Sequence, residues 1–195
     1  MSPHRSAPQR ARPVRATRAG FTLVELMVVI IIIGLIGGIA VASWASMLPN
    51  QQFNSALRDL SEVVYGTRSD AISRNREFRI VYDLDKDTYR VRTPFKLGGG
   101  LATSEDDDER LWIHETNLKK YGVDIAQVTV DDVKFVDGKV EVVFSPLGTS
   151  SYHTVQLVQT LFGREVTLEV LPLTGEIRMH DGAYARAPVS DGDFR

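Results

Sequence analysis

The 195-residue chain contains no cysteine, which excludes a disulfide scaffold, a Cys-ligated zinc or iron–sulfur site and a thiol nucleophile. Catalytic patterns are equally scarce. His4, His114, His153 and His180 are dispersed, with no H-x-x-x-H or H-E-x-x-H pair. No Gly-x-Ser-x-Gly elbow occurs, and Ser145 before Pro146 suits a strand-end turn better than a nucleophile. Gly98-Gly99-Gly100 is not followed by Lys-Ser/Thr, so it is no phosphate-binding loop. The reading is therefore of a protein that is not an enzyme and needs no cofactor or metal.

Acidic residues are missing from one segment only. Residues 1–20 carry Arg5, Arg10, Arg12, Arg15 and Arg18 and no acid, while residues 21–195 hold 18 basic and 25 acidic groups. The overall −2 is thus a +5 leader on a −7 body. At 43% apolar residues the composition is that of a folded protein, and the length suits one domain with an appendage. From Phe21 to Leu48 only Glu25 is charged, and Leu26 to Ala42 is unbroken apolar residue or glycine. As a helix, residues 21–48 would extend about 42 Å, enough to cross a hydrocarbon core of about 30 Å. A cleaved secretory signal, with Ala40-Val41-Ala42 as its cleavage site, is the nearest alternative, but its apolar core would be shorter and would not start with an acid. An ionisable group inside such a segment is costly and marks a function by default.

Gly20-Phe21-Thr22-Leu23-Val24-Glu25, with arginines before it and about 20 apolar residues after it, resembles the processing motif of type IV prepilins and type II secretion pseudopilins. The resemblance implies cleavage between Gly20 and Phe21 by a prepilin peptidase and N-methylation of Phe21. It also implies that Glu25 meets the N-terminal amine of a neighbouring subunit in a filament. The arginines would hold the leader on the cytoplasmic side, giving a single-pass inner-membrane protein with its C-terminal domain in the periplasm. Many family members have a proline two thirds along the helix where this chain has Ala42. Any softening here falls to Gly34, Gly37 and Gly38.

Beyond Pro49, Phe53, Ala56, Leu57, Leu60, Val63, Val64, Thr67, Ala71 and Ile72 recur at spacings of three and four, predicting an amphipathic continuation of the helix from about Phe21 to Ser73. After Arg76 the period becomes two. Residues 78–82 and 89–92 read as a hairpin, and Val133 to Val136 with Val140 to Phe144 as a second one across Asp137-Gly138. Strands follow at 155–158, 166–171 and 176–179. The expected fold class is α+β: a long N-terminal helix packed on antiparallel sheet, type IV pilin-like. Its expected divisions are a leader at 1–20, a transmembrane and filament-core helix at 21–48, a periplasmic domain at 49–180 and a tail at 181–195. The acidic loop Glu105-Asp106-Asp107-Asp108-Glu109 offers oxygen ligands suited to calcium but lacks EF-hand spacing, so a solvated loop is favoured.

Phe144-Ser145-Pro146-Leu147-Gly148-Thr149, the strand at 155–158, Gly163-Arg164-Glu165-Val166 and Thr174-Gly175-Glu176-Ile177 resemble the C-terminal half of GspH/FimT-type minor pseudopilins and minor pilins. The resemblance implies a minor subunit of a type II secretion pseudopilus, partnered by other pseudopilins. A minor type IV pilin for pilus biogenesis or DNA uptake is the alternative, and a membrane-anchored domain outside any filament a third. Nucleic acid is the less favoured partner, because the body is acidic and the Gly-Arg-x-Arg pattern of DNA-binding members is incomplete at both Gly163 and Gly175.

Overall fold

A computed structural model describes residues 21–103 and 109–186, with the side chains of 39–47 outside the description. The leader, including Gly20, the acidic residues 105–108 and the tail beyond 186 also lie outside it. The chain divides into two units, one up to Trp44 and one from Ala45 onward.

Helix α1 (Leu23–Arg74) matches the expected element to within two residues and includes Pro49. Its end is set by local chemistry. Asn75 takes the left-handed conformation at φ 50°, Arg76 N–H donates to Ala71 O at 3.1 Å and Asn75 N–H to Ile72 O at 3.2 Å. This paired closure satisfies carbonyls that the helix end would otherwise orphan.

Among the described residues of the second unit, nine strands form two antiparallel sheets. The first sheet contains β1 (Phe78–Asp83), β2 (Thr88–Lys96), β3 (Arg110–Asn117) and β6 (Lys139–Phe144) in the order β3-β2-β1-β6. The second contains β4 (Val123–Val130), β5 (Val133–Phe135), β7 (His153–Gln159), β8 (Glu165–Val170) and β9 (Ile177–Asp181) in the order β5-β4-β7-β8-β9. Period-two alternation sends Phe78, Ile80 and Tyr82 of β1, and Val140, Val142 and Phe144 of β6, to one buried face. That face meets the helix stripe Phe53, Ala56, Leu57, Leu60, Val64 and Ala71 in one core, which Val155, Leu157, Val166 and Leu168 of the second sheet complete. Side chains of this size each contribute roughly 1.5–3 kcal/mol when buried.

The first hairpin forms as expected, with Ile80 opposite Val91 and Tyr82 opposite Tyr89. The second does not. β5 and β6 belong to different sheets: β5 pairs with β4, and β6 returns to β1. The hairpin turn is Asp131-Asp132, both at positive φ (46° and 67°), the signature of a type I′ turn. Gly138 instead ties the crossing segment to the β1–β2 turn, its carbonyl accepting from Leu84 N–H at 2.9 Å and its N–H donating to Asp85 Oδ1 at 3.3 Å. The crossing is favoured because β6 buries three apolar residues against β1, whereas Val133 and Val136 stay exposed.

Asp87 links the sheets. Its carboxylate accepts from Ile125 N–H at 2.7 Å and pairs with Lys119 at 3.2 Å, and its carbonyl accepts from Leu118 N–H at 2.8 Å. It thereby fixes the 3₁₀ turn Leu118–Tyr121 that carries the chain from β3 to β4.

Candidate functional site

The start of α1 is built by Thr22 and Glu25. Glu25 N–H donates to Thr22 Oγ1 at 3.3 Å, and Leu26 N–H to Thr22 O at 3.2 Å. Thr22 is therefore the N-cap, and Glu25 occupies the third position of the first turn, where a carboxylate is favoured by the helix dipole. Thr22 is the residue that the sequence reading overlooked. Its signal was present, since Thr22-x-x-Glu25 before an apolar run is the capping-box pattern. The cap fixes Glu25 one turn from Phe21, the residue implied to become the new terminus.

Glu25 is exposed, and among the described residues its carboxylate has no ion-pair partner. Around it, every Leu, Val, Ile and Met side chain from Leu23 to Ile36 is at least 44% exposed, and Phe21 is 78% exposed. An amphipathic helix would show one covered stripe; this segment is apolar all round and uncovered all round, a surface that needs a nonpolar surrounding. No helix among the described residues is long and apolar enough to cross a membrane. The apolar run of the sequence continues to residue 42, into side chains that are not described.

The remaining candidates are engaged within the fold. His153 is fully buried, its Nδ1 3.0 Å from Ser151 O, and burial lowers its pKa to about 4 despite the Ser151 contact. It is a neutral core histidine whose Nδ1–H must be the donor. His180 Nε2 sits 2.9 Å from the buried Glu169 carboxylate, which also accepts from Tyr152 Oη at 3.0 Å, and its ring stacks on Tyr184 at 3.7 Å. Ser145 Oγ meets Thr149 Oγ1 at 2.7 Å inside a turn. Glu109, the described end of the acidic loop, pairs with Lys96 at 3.1 Å, and among the described residues no three His, Asp or Glu are placed to hold a metal. The described C-terminal arginines are scattered and occupied: Arg164 donates to Asn54 Oδ1 at 3.1 Å, Arg178 pairs with Glu176 at 3.0 Å and Arg186 lies over Tyr152.

Residues 15–41 match the family described as the prokaryotic N-terminal methylation motif. The chain carries that motif. Over 78 residues it is 36% identical to the type II secretion system protein H of Pseudomonas aeruginosa strain PAO1, covering 40% of this chain and 44% of that protein. The chain thus matches less than half the length of that curated relative. Among solved structures it is similar to the minor pseudopilin EpsH from the type II secretion system of Vibrio cholerae, at 12% identity over 70% of this chain and 98% of that one, with a TM-score of 0.47. It is also similar to the type IV minor pilin FimU of P. aeruginosa PAO1, at 15% identity over 67% of this chain and 90% of that one, with a TM-score of 0.44. The methylation motif and the protein H match bear out the resemblance to GspH/FimT-type minor pseudopilins.

Proposed function

We propose that the chain is a minor pseudopilin of a type II secretion pseudopilus, processed after Gly20, N-methylated on Phe21 and inserted among other pseudopilins through α1. The observation that carries this reading is the capped, all-round apolar helix start with a lone, unpaired carboxylate at Glu25. Cleavage after Gly20 creates an α-ammonium group at Phe21, and the Glu25 carboxylate complements it. Buried in an apolar filament core, neither charge is tolerable alone, so their pairing between subunits selects register and partner. Before assembly the same helix anchors the protein in the inner membrane, residues 21–48 forming the single span, the leader cytoplasmic and residues 49–180 periplasmic. Residues 181–195 are the C-terminal tail. The relative's name as a type II secretion system protein and the methylation motif support the same assignment.

Intact-mass analysis of protein recovered from membranes is the direct test, with methylated Phe21 expected as the terminus. A retained Met1, or a terminus at Ser43, would overturn the processing scheme. Glu25→Ala is expected to leave cleavage intact but to reduce cross-linking to partner pseudopilins at least tenfold. Unchanged cross-linking would remove Glu25 from assembly.

A further inference from the structure

Between α1 and the edge strand β3 lies a cleft of about 370 Å³, lined among others by Asp59, Glu62, Gly66, Tyr89, His114 and Thr116. Four of its features bear on what it could hold. Asp59 and Glu62 stand one turn apart on the helix, and among the described residues neither has an ion-pair partner. Asp59 Oδ2 accepts from Tyr121 Oη at 2.8 Å, leaving its second oxygen open. The Tyr89 phenol is completely buried and has no hydrogen-bond partner, an arrangement that folded proteins avoid unless something fills it. Burial pushes its pKa up to about 12. Its cross-strand partner Thr116 opposes that shift from outside good hydrogen-bond geometry, and the charges of Asp59, Tyr121 and Glu62 add to it. Tyr89 lines the same cleft as the two acidic groups.

The other two features concern the backbone. Tyr89 pairs with Thr116 but Val91 with Ile113, so β3 holds an extra residue there. His114 sits in this bulge at φ 52°, in the left-handed region that non-glycine residues adopt uncommonly, histidine more readily than most. Bulges of this kind re-aim a side chain, and His114 is among the residues that line the cleft. On the facing helix, Gly66 weakens an interior turn, yet nothing lies within 4 Å of where its Cβ would be. No contact requires a glycine at this point, and its effect is to keep the cleft open.

We propose that this cleft is a binding site for a primary ammonium group. Glu62, the free oxygen of Asp59 and the Tyr89 phenol supply acceptors for its three N–H donors, and the two carboxylates supply its counter-charge. A bare metal ion suits the site less well, because no three His, Asp or Glu among the described residues are arranged to coordinate one. The neighbouring lysines of the chain are engaged elsewhere, Lys119 with Asp87 and Lys120 over the Tyr121 ring. The ammonium group therefore comes from outside the chain. The inference does not depend on the filament assignment.

The test is an NMR titration of the full chain in detergent micelles, following the Tyr89 and His114 ring resonances. The probe is n-butylammonium chloride, with tetramethylammonium chloride, which has charge but no N–H donor, as control at equal ionic strength. Saturable shifts with butylammonium alone are expected, weakened at least tenfold in Glu62→Gln and abolished in Gly66→Leu, which fills the cleft from a helical position. Equal responses to both salts, tighter binding of calcium chloride, or unchanged binding in Glu62→Gln would overturn the proposal, and the Glu62 variant decides it even if Gly66→Leu fails to fold. Two further probes separate the sources. Nα-acetyl-lysine methylamide binding as well as butylammonium assigns a lysine side chain of another polypeptide, whereas preference for spermidine assigns a free polyamine; either result upholds the site.

Discussion

His153 shows how one buried group ties stability to pH. Its ring is enclosed by Phe144, edge-on at 6.1 Å, and Tyr82 at 6.3 Å, and burial holds its pKa near 4, below the ordinary 6.5. The folded state therefore keeps the ring neutral where the unfolded chain takes up a proton. Stability is full above pH 6.5 and is lost as pH falls from about 6.5 to 4, by about 3 kcal/mol at most. Denaturant unfolding at pH 7 and pH 4.5 should show that loss in the parent, and a smaller difference in His153→Asn, whose amide can still donate to Ser151 O. Equal pH dependence in both proteins would remove His153 as the cause. Nothing in the sequence separated this histidine from the other three, since its burial depends on strands from both sheets. Thr22, by contrast, was legible from a four-residue pattern.

Among the elements, α1 and the β1–β2 hairpin were readable because their periods are unbroken over a long stretch. β3 and β4 were not recognised. In β4 the buried residues are Val123, Ile125 and Val128, and the register slips between Ile125 and Gln127. The extra residue shifts the alternation by one and hides the period. β3 is a half-exposed edge strand with the His114 bulge, so it has little pattern to show. With β4 unrecognised, the Asp137-Gly138 dipeptide looked like the nearest hairpin turn, although it serves a change of sheet. Helix and turns are joined by a contact that no periodicity encodes. Arg68 of α1 donates from Nε to Gly148 O at 2.8 Å and passes against Gly175 in the β8–β9 turn, where an added Cβ would fall 2.7 Å from Nε. Gly175 also has φ 63°. Gly175→Ala is expected to cost about 1–3 kcal/mol through strain and overlap. In an Arg68→Ala background the overlap disappears, so the same substitution should cost measurably less in a double-mutant cycle. Additive losses would show that Arg68 and Gly175 do not share the contact.

At the scale of the whole molecule, charge and exposed surface divide the chain by role. The residues from 21 onward carry −7, and the described C-terminal arginines are held by Asn54, Glu176 and the Tyr152 ring. A DNA gel shift with the full chain in detergent is expected to show no retention at 50 mM salt. A retained band that disappears by 200 mM would signal phosphate contacts and restore the DNA-uptake reading. The change of sheet at Gly138 also bears on the order of assembly. β1 ends at Asp83, but its second neighbour β6 is complete only at Phe144, after β4 and β5 have passed into the other sheet. During synthesis, one edge of β1, with the apolar face of Phe78 and Ile80, stays unpaired until most of the domain has emerged. Contacts so distant in sequence form late, and an open strand edge invites pairing with other chains. The first sheet is therefore the part of the fold that stays open to wrong pairing longest while the chain is being made.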